Sequence, residues 1–194
     1  MPLNLPNVLT LLRILAIPLL VGLYFLPPLV IAAGDRDWLA AMLFSVAAIT
    51  DWFDGWLARR WGQTSAFGSF LDPVADKLIV CAALLVLLQL GRVDGFIALI
   101  IIGREITISA LREWMATIGA RGNVAVHSVG KFKTAAQMIA IVLLLFDSQV
   151  MGVDVRPAGT ILVNLAAALT LWSMAYYLRK AWPYLREDKG GDAT

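Results

Sequence analysis

Six apolar stretches, at about residues 8 to 26, 38 to 60, 69 to 90, 94 to 116, 133 to 150 and 158 to 182, take up most of the sequence and are joined by short polar connectors. Several approach or exceed the roughly 18 residues needed to cross a hydrocarbon core. Lipid offers no water to an unpaired peptide group, so each stretch must pair its backbone within itself, as an α-helix. Composition agrees, since 60% of the residues are hydrophobic, against about 45 to 50% in soluble domains. The expected fold is an all-α integral membrane protein, a single bundle of six transmembrane helices over residues 1–194.

Local punctuation supports these spans. Asn7 can cap the first helix, Pro27 and Pro28 can end it, Gly62 and Gly91 follow the second and third, and Pro157 and Pro183 bracket the sixth. The first stretch lacks a basic leader and a small-x-small cleavage site, so it reads as a retained helix and not a signal peptide. Cys81 is the only cysteine, which excludes an intrachain disulfide. A net charge of +2 is too small to imply nucleic acid.

Six crossings bring both termini to one side. That side carries Arg59, Arg60, Arg121, Lys131, Lys133, Arg179, Lys180, Arg186 and Lys189, whereas the opposite connectors hold only Arg36, Arg92 and Arg156. The positive-inside rule makes the basic side, and both termini, cytoplasmic. Trp38, Trp61, Trp114 and Trp182 fall near expected helix ends, where an indole either anchors at the interface or simply fills space.

Against this apolar background four aspartates stand out, because an ionisable residue deep in a membrane helix costs about 2.5 to 3.5 kcal/mol. Asp51 and Asp54 are three apart and Asp72 and Asp76 four apart, so each pair projects from one face of its helix. Counted from the intervening turn at about 1.5 Å per residue, both pairs sit at similar depth near the cytoplasmic helix ends. Converging carboxylates repel one another unless cations separate them, and hard Mg²⁺ or Mn²⁺, two per site, suits oxygen ligands better than zinc does. The structural alternative is a set of salt bridges with Arg59, Arg60 and Lys77, whose spacing from the aspartates is poor.

The run Asp51-Trp52-Phe53-Asp54-Gly55-Trp56-Leu57-Ala58-Arg59, followed by Gly68, Asp72 and Asp76, resembles the signature of the CDP-alcohol phosphatidyltransferase family at all eight of its fixed positions. The resemblance implies a homodimer with its site in a cytoplasm-facing cavity. It also implies transfer of a phosphatidyl group from CDP-diacylglycerol to an alcohol, with release of CMP. Carried onto this chain, it makes Asp51, Asp54, Asp72 and Asp76 metal ligands and places Gly55, Ala58, Arg59 and Gly68 around the CDP moiety. Asp76 becomes the base that takes the alcohol's proton, with a role as metal ligand alone as the alternative.

Gly55 clears the helix backbone for a nucleotide, Ala58 either does the same or packs helices, and Arg59 either faces the diphosphate or marks the cytoplasmic side. Gly68 lets the third helix begin close to the second.

Two further stretches, Asn4 to Arg13 and Gly103 to Glu113, resemble the members of that family whose acceptor is sn-glycerol 3-phosphate. An acceptor bearing its own phosphate needs additional cations, and Arg104, Arg112, Lys131 and Lys133 are the candidates. Arg104 either binds that phosphate or forms an intramembrane pair with Glu105. Glu105, seven residues from Arg112 and on the same face, can instead orient Arg112. Thr10 and Arg13 either face the site or snorkel toward the interface, and His127 reads as a surface residue. Serine or inositol phosphate is the alternative acceptor. A carboxylate-lined cation transporter is the alternative of a different class, and it has no need of the Gly55, Ala58, Arg59 and Gly68 framework; a membrane scaffold would tolerate aspartate-to-asparagine changes.

Overall fold

The computed structural model describes residues 5–61, 66–118, 128–150 and 152–187. Six helices follow in order, α1 (Leu5–Leu23), α2 (Ala33–Trp61), α3 (Ala66–Gln89), α4 (Gly95–Thr117), α5 (Ser128–Phe146) and α6 (Arg156–Glu187). The all-α expectation holds, with one addition. A short antiparallel hairpin of β1 (Gln149–Val150) and β2 (Val153–Asp154), with Gln149 opposite Asp154, joins the last two helices.

Several boundaries differ from the sequence reading for local reasons. Asn7 lies inside α1 and is not its cap. That helix stops at Leu23, ahead of Pro27, as Tyr24 N–H and Phe25 N–H bond back to the Val21 and Gly22 carbonyls at 3.1 and 3.0 Å. Pro183 removes one backbone donor without ending α6, which continues to Glu187. α5 ends at Phe146, short of the expected 150, where Asp147 takes a left-handed φ of 38° and turns the chain toward the hairpin.

Gly91 behaves as the sequence suggests, at φ 65°. Its N–H bonds to Leu88 O at 3.0 Å and the Arg92 N–H to Leu87 O at 2.9 Å, the paired closure by which a glycine ends a helix. Asp94 and Asp154 then accept from the Phe96 and Arg156 backbone N–H groups at 2.8 and 2.9 Å, opening α4 and α6.

In the bundle α1 packs on α2 and α3, α2 on α5, α4 on α6, and α5 lies along α6. The last contact depends on Gly159, where a Cβ would fall 2.8 Å from Leu144 Cγ. Leu20, Phe44, Leu84, Ile101, Ile141 and Leu144 form the centre of the main core, and Ile108, Leu111, Met115 and Tyr177 form a smaller one between α4 and α6. The exterior is also apolar. Phe70, Phe96, Leu99, Ile161 and Trp172 are each at least 66% exposed, an arrangement suited to a lipid surround and costly in water. Among the described residues, Arg156–Pro183 is the one helical segment long and apolar enough by composition to cross a membrane, while Val8–Leu23 and Lys133–Phe146 are shorter apolar runs. α2, α3 and α4 carry ionisable residues along their lengths, and those residues help build the sites described next.

At the bundle end holding the α1–α2, α3–α4 and α5–α6 connectors, Arg92 is the hub of a largely buried ionic network. Its Nη2 lies 2.6 Å from Asp37 Oδ2 and its Nε 2.9 Å from Asp147 Oδ2, and Nη1 donates to the Leu144 and Leu145 carbonyls at 3.2 and 3.0 Å. Tyr24 donates to the other Asp37 oxygen at 3.0 Å, and Arg156 donates to Gly91 O at 3.2 Å. The carbonyls that accept from Arg92 belong to the last turn of α5, and its grip on Asp147 explains why that helix ends there. Arg92→Met should lower unfolding stability by about 3 to 5 kcal/mol, because it strands two buried carboxylates. Thermal unfolding of the detergent-solubilised protein measures this, and a melting temperature equal to the parent's would contradict it.

Candidate active site

At the other end of the bundle, α1 presents Thr10 and Arg13 on one face, three residues apart, and both side chains are almost wholly buried. A buried hydroxyl and guanidinium need partners, and α2 and α3 supply them. Thr10 Oγ1 donates to Asp72, while Arg13 Nη1 donates to Asp76 and lies 2.9 Å from Asp51 Oδ1. The sequence left open whether Thr10 and Arg13 snorkel; they point inward. Among the described residues α1, a helix outside the signature, thus supplies a cation to Asp51 and Asp76.

Asp51, Asp72 and Asp76 border one cavity of about 590 Å³, so three of the four expected aspartates converge. The side chains of Asp54, Ala58, Arg59, Arg60 and Lys131, together with Gly55, lie outside the described part of the structure, as do His127, Arg121 and Lys189. Gly68 is buried in the first turns of α3. Among the described residues no three Asp, Glu, His or Cys side chains form a compact cluster of their own; one guanidinium nitrogen, Arg13 Nη1, contacts both Asp51 and Asp76. An oxygen-only donor set that already holds a guanidinium fits a hard divalent cation.

The facing wall of the cavity is cationic. Arg104 and Arg112 line it from α4. Glu105 is committed to Arg104, with Oε1 2.7 Å from Nη1, and to Lys133 of α5, 3.7 Å from Nζ. It does not serve to orient Arg112, whose guanidinium instead lies over the Tyr177 ring of α6 at 5.9 Å. Arg104 pairs with Glu105 and also lines the cavity, and its buried Nε has no hydrogen-bond partner among the described residues. Lys133 Nζ, in a side chain 98% buried, likewise has no hydrogen-bond partner among the described residues. Arg104 and Arg112 in the lining, with Lys133 outside it, set three cations against Glu105, an excess of positive charge that suits an anion.

Gln137 was not singled out from the sequence. It is 3% exposed, it lines the cavity, and its Oε1 has no partner among the described residues. The available signal was a single amide just before the apolar run of residues 138 to 146, one turn from Lys133 on the same face.

A family model described as CDP-alcohol phosphatidyltransferase matches residues 3–172. The chain is 47% identical over 184 residues to the CDP-diacylglycerol–glycerol-3-phosphate 3-phosphatidyltransferase of Salmonella choleraesuis strain SC-B67, covering 93% of this chain and 96% of that protein. The proteins of the same name from Escherichia coli K12 and Salmonella paratyphi A are 47% and 46% identical over the same 93% and 96%.

Removing Arg13 tests the electrostatics of this end directly. Arg13→Met should destabilise the protein by about 1.5 to 3 kcal/mol, since half-exposed carboxylates lose a charge-assisted contact. Adding Asp76→Asn in that background should recover part of the loss, because one of the two facing charges is gone. Strictly additive losses in the double-variant cycle would show that Arg13 and Asp76 are not coupled.

Proposed function

The chain belongs to the CDP-alcohol phosphatidyltransferase family, and on that footing we propose that it transfers the phosphatidyl group of CDP-diacylglycerol to sn-glycerol 3-phosphate, giving phosphatidylglycerophosphate and CMP. The observation that carries the reading is one cavity with a carboxylate wall of Asp51, Asp72 and Asp76 facing a cationic wall of Arg104 and Arg112. A neutral alcohol would need only the first wall. An acceptor that brings its own phosphate needs the second, and near-full-length identity to glycerol-3-phosphate 3-phosphatidyltransferases points the same way.

In this mechanism Arg104, Arg112, Lys133 and Lys131 bind the acceptor's phosphate, and Arg59 with the small residues Gly55, Ala58 and Gly68 receives the CDP moiety. Arg13 holds Asp51 and Asp76 together through one guanidinium nitrogen at the edge of the cavity. The carboxylate of Asp76 accepts the proton of the acceptor's primary hydroxyl. The hydroxyl oxygen forms a bond to the β-phosphorus, and the bond from that phosphorus to the bridging oxygen breaks, so that CMP departs with the electron pair. Bound at Asp51, Asp54, Asp72 and Asp76, Mg²⁺ or Mn²⁺ supplies positive charge against the diphosphate. No serine or cysteine is needed as a covalent carrier.

The same reading makes the chain a six-span membrane protein with both termini and the cavity mouth on the cytoplasmic side, supported by the asymmetry of Lys and Arg between connectors.

The assay is purified protein with CDP-diacylglycerol and a panel of alcohols, following CMP release and identifying the lipid product. sn-Glycerol 3-phosphate should be preferred, chelation of divalent ions should abolish turnover, and Mg²⁺ or Mn²⁺ should restore it. Asp51→Asn, Asp72→Asn and Asp76→Asn should each lower turnover by about a hundredfold or more. Preferential use of serine or inositol phosphate would overturn the acceptor assignment, and full activity in chelator would overturn the metal requirement. For topology, Gly62→Cys and Gly190→Cys in a Cys81→Ser background should be shielded from an impermeant thiol reagent in intact cells, and Asp35→Cys should react. The reverse pattern would put the cavity on the wrong face.

A further inference from the structure

The cationic wall of the cavity holds its two arginines in different ways. Arg104 is tied to a carboxylate, with Nη1 2.7 Å from Glu105 Oε1, a contact that offsets its charge and occupies one of its donors. Arg112, just over two turns further along α4, has neither an ion pair nor a hydrogen bond from its side chain among the described residues. Its guanidinium carbon lies instead 5.9 Å from the centre of the Tyr177 ring. Both residues line the cavity, Arg112 exposed and Tyr177 only 4% exposed.

An aromatic ring attracts a guanidinium through the negative charge of its face and uses none of the N–H donors. The cation is restrained without being neutralised. An arginine left to solvent samples many rotamers, and fixing it when a ligand arrives costs part of the affinity gained. A ring that restrains it beforehand lowers that cost. Tyr177 is itself well fixed. Its ring packs in the smaller core with Ile108, Leu111 and Met115 of α4, and Tyr176 meets it edge to face, with ring centres 5.8 Å apart and planes at 71°. Leu111 precedes Arg112 directly, and Ile108 and Met115 lie four residues before it and three after it, so the core that fixes the ring belongs to the same turns of α4.

From this arrangement we propose that Tyr177 is a positioning residue for acceptor binding, its ring holding the Arg112 guanidinium at the cavity with its charge and its donors available to the acceptor's phosphate. This rests on the phosphorylated-acceptor reading above and deepens it, because it divides the labour of the cationic wall. Arg104 shares its charge with Glu105, whereas Arg112 keeps its own. Tyr177 touches no substrate in this account and acts through Arg112.

The test measures KM for sn-glycerol 3-phosphate and for CDP-diacylglycerol, by CMP release, in the parent, Tyr177→Phe, Tyr177→Leu and a series in which the Tyr177→Phe ring carries one, two or three fluorines. Tyr177→Phe keeps the ring face and should stay within about twofold of the parent for both substrates. Tyr177→Leu should raise KM for glycerol 3-phosphate by about threefold to tenfold, the worth of a cation–ring contact, and leave KM for CDP-diacylglycerol unchanged. Fluorines withdraw charge from the ring face with little change of shape, so KM for glycerol 3-phosphate should climb with their number, and the climb should vanish in an Arg112→Ala background. A flat fluorine series in the Arg112 enzyme overturns the proposal, even if Tyr177→Leu fails to fold. Equal losses in Tyr177→Phe and Tyr177→Leu would assign the effect to the hydroxyl and overturn it too, as would a rise in both KM values together. A parent that prefers an unphosphorylated alcohol overturns the acceptor reading and this proposal with it; normal use of glycerol 3-phosphate with a flat series removes the proposal alone.

Discussion

Placing carboxylates among apolar helices is unfavourable unless opposite charge goes with them, and here that charge begins with Arg13. Its guanidinium meets Asp51 from α2 and Asp76 from α3, while Thr10, one turn away, donates to Asp72. These contacts join α1 to the two helices that carry the aspartate signature. They also leave carboxylate oxygens facing the cavity, because a single guanidinium cannot saturate three carboxylates. The cationic wall on α4 and α5 is the counterpart, a place where positive charge exceeds negative.

The two bundle ends use ionic contacts differently. Around Arg92 the donors are spent on Asp37, Asp147 and two α5 carbonyls, and the cluster is closed to further ligands. Around Arg104 and Lys133 buried donors remain without hydrogen bonds. A saturated network fixes the connectors; an unsaturated one beside a cavity has capacity for a substrate. The apolar middle of the bundle, from Leu20 to Leu144, separates the two.

Much of this was legible in the sequence, and the parts that were not have identifiable causes. Helix existence followed from apolar length, because lipid leaves no other backbone solution. The convergence of Asp51, Asp72 and Asp76 followed from spacing on two helices joined by a short turn. Boundaries were harder to read, since the end of α5 depends on Arg92, 55 residues before Asp147 in sequence and invisible to any local rule. The partner of the aspartates was hidden for the same reason. Arg59, Arg60 and Lys77 are near in sequence, whereas Arg13 is near only once α1 has packed on α3. Gln137 carried a weak signal, because an amide in a helix means little until the partner it lacks is known. Arg104 and Lys133 were legible as candidates, but their shared dependence on Glu105 was not.

The order of the charges along the chain bears on how the protein is made. Arg13 leaves the ribosome before either of its carboxylates, and at the centre of a lone membrane helix an arginine costs about 2.5 to 3.5 kcal/mol. During synthesis of a chain that inserts from its N-terminus, α1 is therefore a poor membrane segment by itself and becomes an acceptable one only when α2 and α3 arrive with Asp51 and Asp76. The contact that orients the site thus also sets the smallest piece of the chain that can settle in a bilayer.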